Sequence, residues 1–100
     1  MIARIWHGIV PLEKADEYLT LMRTVALPEY RSTAGNRGAW CLRRVEGDIV
    51  HFEMLTHWDD VDAIRRFAGD DYEAAKYYDF DGDYLVEFEP GVRHYELYSS

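Results

Sequence analysis

The sequence predicts an α+β domain of ferredoxin-like order, β-α-β-β-α-β, built on an antiparallel sheet. Four stretches alternate with period two, and two others repeat apolar residues at three- and four-residue steps. The two middle strands are joined only by Glu46-Gly47-Asp48, a connection so short that they must be antiparallel neighbours.

The first strand spans residues 2–10. Ile2, Arg4, Trp6, Gly8 and Val10 point one way, and Ala3, Ile5, His7 and Ile9 the other. Pro11 ends it, because proline cannot donate to a ladder. A helix follows, with Leu12, Ala15, Tyr18, Leu19, Met22, Val25 and Ala26 as its apolar stripe. Glu13, Asp16 and Glu17 stand in its first turns, where the helix dipole favours negative charge. Leu27-Pro28 is expected to break this helix, with a further short turn at Pro28-Glu29-Tyr30-Arg31.

Gly35-Asn36-Arg37-Gly38 reads as a loop. Strand two then runs from Ala39 to Val45 and strand three from Ile49 to Trp58. Asp59 or Asp60 caps a second helix whose stripe is Val61, Ile64, Phe67 and Ala68, closed by Gly69. Asp70-Asp71 is expected to cap a shorter helix through Tyr72, Ala75 and Tyr78. Residues 79–91 are acidic and turn-rich, and a last strand runs from Val92 to Tyr98. The single domain thus occupies residues 1–100, without repeat or linker.

Both helices should cover one sheet face. The other face is apolar as well, since Ile5 and Ile9 oppose Ile2 and Val10, and Ile49 and Leu55 oppose Val50, Phe52, Met54 and Trp58. A sheet with one wet face alternates more cleanly than this. The simplest cover for a second apolar face is a second copy of the chain, so a homodimer is expected.

The formal net charge is −8 and the pI about 4.8. Nucleic acid and anionic membranes are therefore not expected partners, because both demand clustered Lys and Arg. No apolar run approaches the ~20 residues that span a bilayer. Residues 1–7 lack the layout of a signal peptide, and the lone Cys41 permits no intrachain disulfide, so the expected location is the cytoplasm. Cys41 itself reads as a packing residue.

Several chemistries fail on spacing. Asp79-Phe80-Asp81-Gly82-Asp83 begins like a calcium loop, but its glycine comes fourth instead of sixth, and Pro90 stands where the twelfth-position Glu belongs. It reads instead as a solvated acidic loop: eleven of the nineteen Asp and Glu fall within residues 59–89, against Arg65, Arg66 and Lys76. His51-Phe52-Glu53 has no later Cys-x-x-Cys to complete a deaminase zinc site. His51, Glu53 and His57 share one strand face, but they read as polar strand residues, so no metal is expected. His-Glu-x-x-His, Gly-x-Ser-x-Gly and a phosphate-cradling glycine loop are all absent. What remains is aromatic. Three Trp, eight Tyr and four Phe are generous for this length, and Trp6, Phe67 and Tyr77 or Tyr78 can converge between sheet and helices, as core or as walls of a slot for a flat organic molecule.

The order of elements, Leu55-Thr56-His57-Trp58-Asp59, Ile64-Arg65-Arg66-Phe67, and Asp70-Asp71-Tyr72-Glu73-Ala74-Ala75-Lys76-Tyr77-Tyr78 together resemble the antibiotic biosynthesis monooxygenase-like proteins. The resemblance covers nearly the whole chain. It implies a dimeric α/β barrel, in which two ferredoxin-like protomers close their sheets on each other. It also implies one of two chemistries. Some members oxidise aromatic phenols with O₂ and neither metal nor flavin; others degrade heme with an Asn on strand one and a Trp and a His around the second helix. Those three positions hold Trp6, Phe67 and Tyr77 here, so the heme-degrading set is absent.

The expected function is accordingly a cofactor-independent monooxygenase acting on a small aromatic molecule. Trp6, Phe67 and Tyr72 wall its pocket, Tyr77 takes part in turnover, His51 or His94 is the base that ionises a phenol, and Arg43 or Arg44 steadies the anion. The rival expectation is a non-enzymatic small-molecule-binding or stress-associated dimer of the same fold, favoured if Trp6 and Phe67 plug the cleft. An isomerase or lyase using one histidine is a third.

Overall fold

In the computed structural model, which describes residues 1–100, β1 (Ile2–Pro11) lies inside a four-stranded sheet ordered β2-β3-β1-β4. β2 is Asn36–Glu46, β3 is Ile49–Trp58 and β4 is Arg93–Glu96. All neighbours are antiparallel, which is the ferredoxin-like arrangement expected from the sequence. The β2–β3 hairpin closes at Gly47, whose φ of 61° lies in the left-handed region. β2 begins three residues earlier than expected, through a bulge at Asn36/Gly38 where Asn36 Oδ1 accepts from the Gly38 N–H at 3.0 Å. β4 is shorter than expected, reaching only Glu96.

Between β1 and β2 the chain stays helical through a 3₁₀ turn (Leu12–Lys14), α1 (Ala15–Leu21), a π-helical stretch (Met22–Ala26) and α2 (Leu27–Ser32). The expected break at Leu27-Pro28 does not occur. The wide π turn, in which the Leu27 N–H donates to the Met22 carbonyl, comes just before the proline. Pro28 then sits at the start of α2, where a missing N–H costs little. After β3, Asp60 caps α3 (Val61–Ala68) by accepting from the Ala63 N–H at 2.9 Å.

The expected helix over residues 70–78 is also absent. Residues 69–92 form an irregular strap across the helix side of the sheet, with one 3₁₀ turn at Asp79–Asp83. The reason lies in competing backbone bonds. Ala74 bridges to Gly91, Ala75 N–H donates to the Pro90 carbonyl and Val92 N–H to the Glu73 carbonyl, so groups a helix would need are already engaged.

The core fills the helix side. Val10, Val50, Phe52, Met54 and Trp58 from the sheet pack against Tyr18, Met22, Tyr30, Ile64 and Phe67. Trp58 satisfies its indole N–H on Thr56 Oγ1 at 2.8 Å. The opposite face carries no helix. Trp40, Leu42 and Tyr95 are exposed there, beside half-buried Ile5, Ile9 and Leu55. No helix is long and apolar enough to cross a membrane.

Gly8 lets the strap approach β1. A Cβ there would stand 2.5 Å from the Trp6 ring and 2.8 Å from Leu85. Gly8→Ala should therefore cost about 1–3 kcal/mol through overpacking. Thermal melting of the variant checks this, and an unchanged midpoint would refute it.

Candidate functional site

The helix side of the sheet holds an aromatic cleft. Trp6 and Met54 form its floor, Tyr18, Met22, Ala26 and Tyr30 one wall, and Lys76, Tyr78 and Asp81 of the strap its roof. Its free volume is about 10 Å³. That is room for roughly one water. The roof is pinned from below. Tyr18 donates to Asp81 Oδ1 at 2.7 Å, and the Tyr78 N–H donates to Asp81 Oδ2 at 2.7 Å. Burial raises the Asp81 carboxyl above its usual range, with both hydrogen bonds pulling the other way. Tyr78 donates to Glu29 Oε2 at 2.6 Å, and Lys76 pairs with Glu29 while lying 4.2 Å from the centre of the Phe67 ring.

Arg4 lies on the same strand face as Trp6, two residues away, and is 1% exposed. No carboxylate pairs with it among the ion pairs of the chain. Its Nη2 reaches the Ala74 carbonyl at a long 3.4 Å, its guanidinium lies 5.6 Å from the Phe67 ring centre, and its Nε has no partner. The Tyr30 hydroxyl faces it, and burial pushes that phenol up to about 12, so Tyr30 supplies no negative charge. His94, opposite Arg4 on β4, packs edge-on against Tyr72 at 5.2 Å. Its Nε2 is buried and unpartnered, as is the indole nitrogen of Trp6. Burial, and then the charge of Arg4, push the His94 imidazolium below its ordinary range.

The other residues singled out in the sequence are spread over both faces. Phe67 stacks on Tyr30 at 4.3 Å, closing that end of the cleft. Tyr77 meets Trp6 edge-on at 6.1 Å and donates its hydroxyl to the Glu89 carbonyl. Tyr72 lies under the Arg65 guanidinium at 5.3 Å. Arg43 pairs with Asp16 at 2.7 Å on the rim of the helix side, and Arg44 with Glu46 at 3.1 Å. Cys41 is half-buried opposite Met54, where burial pushes its thiol up to about 11.

His51 lies on the outer face, away from Trp6, and belongs to a different constellation. His7 Nδ1 contacts Glu89 at 2.5 Å, His7 Nε2 meets His51 Nδ1 at 2.9 Å, and His51 Nε2 lies 3.4 Å from Glu46. No three His, Cys, Asp or Glu are grouped so as to hold a metal ion.

No family model and no curated protein sequence matches the chain. Solved structures that share its fold include the following two. One is an MhuD variant with two manganese protoporphyrin IX bound per active site, at 18% identity and TM-score 0.67, covering 100% of this chain and 97% of that one. The other is Rv0793 from Mycobacterium tuberculosis, at 15% identity and TM-score 0.61, covering 99% of this chain and 96% of that one. The fold is thus the α+β, ferredoxin-like one shared with these two structures.

Sequence reasoning passed over Arg4, Tyr30, Lys76 and Asp81. Arg4 carried a legible signal, being the one charged residue among Ile2, Trp6, Gly8 and Val10 on the core-facing side of its strand. Tyr30, Lys76 and Asp81 meet only through the helix that continues past Pro28 and through the strap.

The lowered His94 pKa fixes the sign of a pH effect. The folded state favours the neutral ring, so this stability is present above the ordinary value of 6.5 and lost as pH falls below it. His94→Phe should flatten the loss of stability between about pH 6.5 and pH 5. Urea melts across that window check this, and an unchanged slope would remove His94 from the acid response.

Proposed function

We propose that this chain is one protomer of a homodimer that takes a small aromatic molecule between its sheet and its helices. The observation that supports this is the aromatic cleft itself. Trp6, Tyr18, Tyr30, Tyr78 and two methionines surround it, the indole nitrogen of Trp6 has no partner in the protein, and unpartnered buried nitrogens of Arg4 and His94 lie on the same sheet face. Apolar walls with a few convergent polar groups are the usual make-up of a small-molecule site. The ligand enters when the strap lifts.

In its catalytic form the function is a cofactor-independent monooxygenase. His94, held neutral, accepts the proton of a phenol, and the resulting anion reacts with O₂ in a cleft from which Trp6 and the strap exclude water. The second reading, a non-catalytic binding dimer, is favoured by the closure of the cleft to about 10 Å³. A porphyrin does not fit the residues present. The lining of the cleft offers no histidine, and His7, His51 and His57 point to the outer face.

Oxygen uptake with hydroxylated polycyclic aromatics tests the catalytic form. Uptake should appear with the wild type and fall at least ~100-fold in His94→Phe, the scale of a lost general base, while binding persists. Binding without uptake would leave the non-catalytic dimer. The dimer has its own test. The second copy is proposed to cover the outer face, with exposed Trp40 and Leu42 on one edge strand and Tyr95 on the other. Leu42→Asp should shift sedimentation from dimer to monomer, and a monomeric wild type would refute the pairing.

A further inference from the structure

We propose that the aromatic ligand of the cleft is an anion, an aromatic carboxylate, whose carboxyl group pairs with Arg4. This rests on the reading that the cleft takes an aromatic molecule, and it names the chemical class.

The argument begins with an uncompensated charge. A guanidinium carries five N–H donors and a charge that proteins do not remove. Arg4 is buried to 1% exposure, yet its neighbours are the Ala74 carbonyl at 3.4 Å, the Phe67 ring and a neutral tyrosine hydroxyl. These groups are dipoles, and none cancels a full charge. Buried charges are otherwise paired. Every other ion pair of the chain lies elsewhere, and the eleven acidic residues between 59 and 89 leave Arg4 without one although the strap passes over it.

The geometry is that of a carboxylate site waiting for its ligand. Arg4 Nε is free, and Nη2 holds only a long contact to the strap, so an edge of the fork is open to bidentate pairing once Ala74 moves. Arg4 adjoins the cavity through two of its lining residues, Trp6 along the strand and Tyr30 facing the guanidinium. A ring lying against Trp6 and Tyr30 would carry its carboxylate toward Arg4. His94 Nε2, also unpartnered, flanks the same spot from β4. The strap that must move is held by side-chain anchors and few ladder bonds, the kind of segment that opens below the cost of global unfolding.

The test compares 2-naphthoate with its neutral counterpart 2-naphthamide by tryptophan fluorescence titration at pH 7, on the wild type, Arg4→Met and Arg4→Lys. The carboxylate should bind the wild type at least ~10-fold more tightly than the amide, the scale of a charge-assisted pair. Arg4→Met should erase the preference, and Arg4→Lys should keep part of it. A second readout needs no ligand. Removing an unpaired buried charge should raise the melting temperature of Arg4→Met by roughly 4 °C or more. If both compounds bind the wild type equally, the aromatic cleft stands and the anion inference falls. A carboxylate preference that survives Arg4→Met puts the anion on another cation and overturns the assignment. An Arg4→Met protein that melts lower, or fails to fold, shows that Arg4 is compensated within the chain and also overturns it. If neither compound binds, the cleft reading falls and the inference with it.

Discussion

β1 is hydrogen-bonded along both edges, to β3 over its whole length and to β4 from Ile2 to Ile5. Its side chains therefore have two directions and no others. Even-numbered positions enter the helix side, where Arg4 meets Trp6 and the aromatic wall. Odd-numbered positions reach the outer face, where His7 meets His51. A slip of one residue would exchange these two sets, turning His7 into the core and Arg4 and Trp6 outward. The cleft, the buried cation and the outer histidine chain are all consequences of this one register.

The strap is the second determinant. It crosses the helix side without regular structure, and it is fixed at Asp81 by Tyr18, at Tyr78 and Lys76 by Glu29, and at Leu85 by close packing over Gly8. The anchors on Tyr18 and Glu29 attach to the helical segment between β1 and β2, so the cover and the wall of the cleft are tied together. A cover held this way closes the cavity almost fully at rest.

The two faces of the sheet carry different chemistry. The helix side has aromatic rings, buried hydroxyls and a cation without its partner. The outer face has exposed Trp40 and Leu42 beside a chain of two histidines between two glutamates. If a second copy covers that face, the histidine chain becomes interior to the assembly.

The sequence by itself determined the order of elements, the two faces of β1 and β3, an aspartate cap at Asp59 or Asp60, and the apolar outer surface. Each is written in local periodicity or in a single capping residue, so no distant contact was needed to read it. It misjudged Leu27-Pro28, because a π turn ahead of the proline is a packing outcome and has no local signature. It misjudged residues 70–78 for a similar reason. Their helical pattern is real, but the backbone groups of residues 73–75 are taken by residues 90–92, far along the chain. The candidate site was legible only in part. Trp6 and Phe67 follow from strand and helix faces, whereas His51 and Trp6 separate only once the strand faces are assembled against the helices. The meeting of Arg4 with Tyr30 and Ala74, and the absence of any carboxylate beside it, were decided by tertiary structure alone. An unpaired charge is a property of everything packed around a residue, and no stretch of sequence contains that.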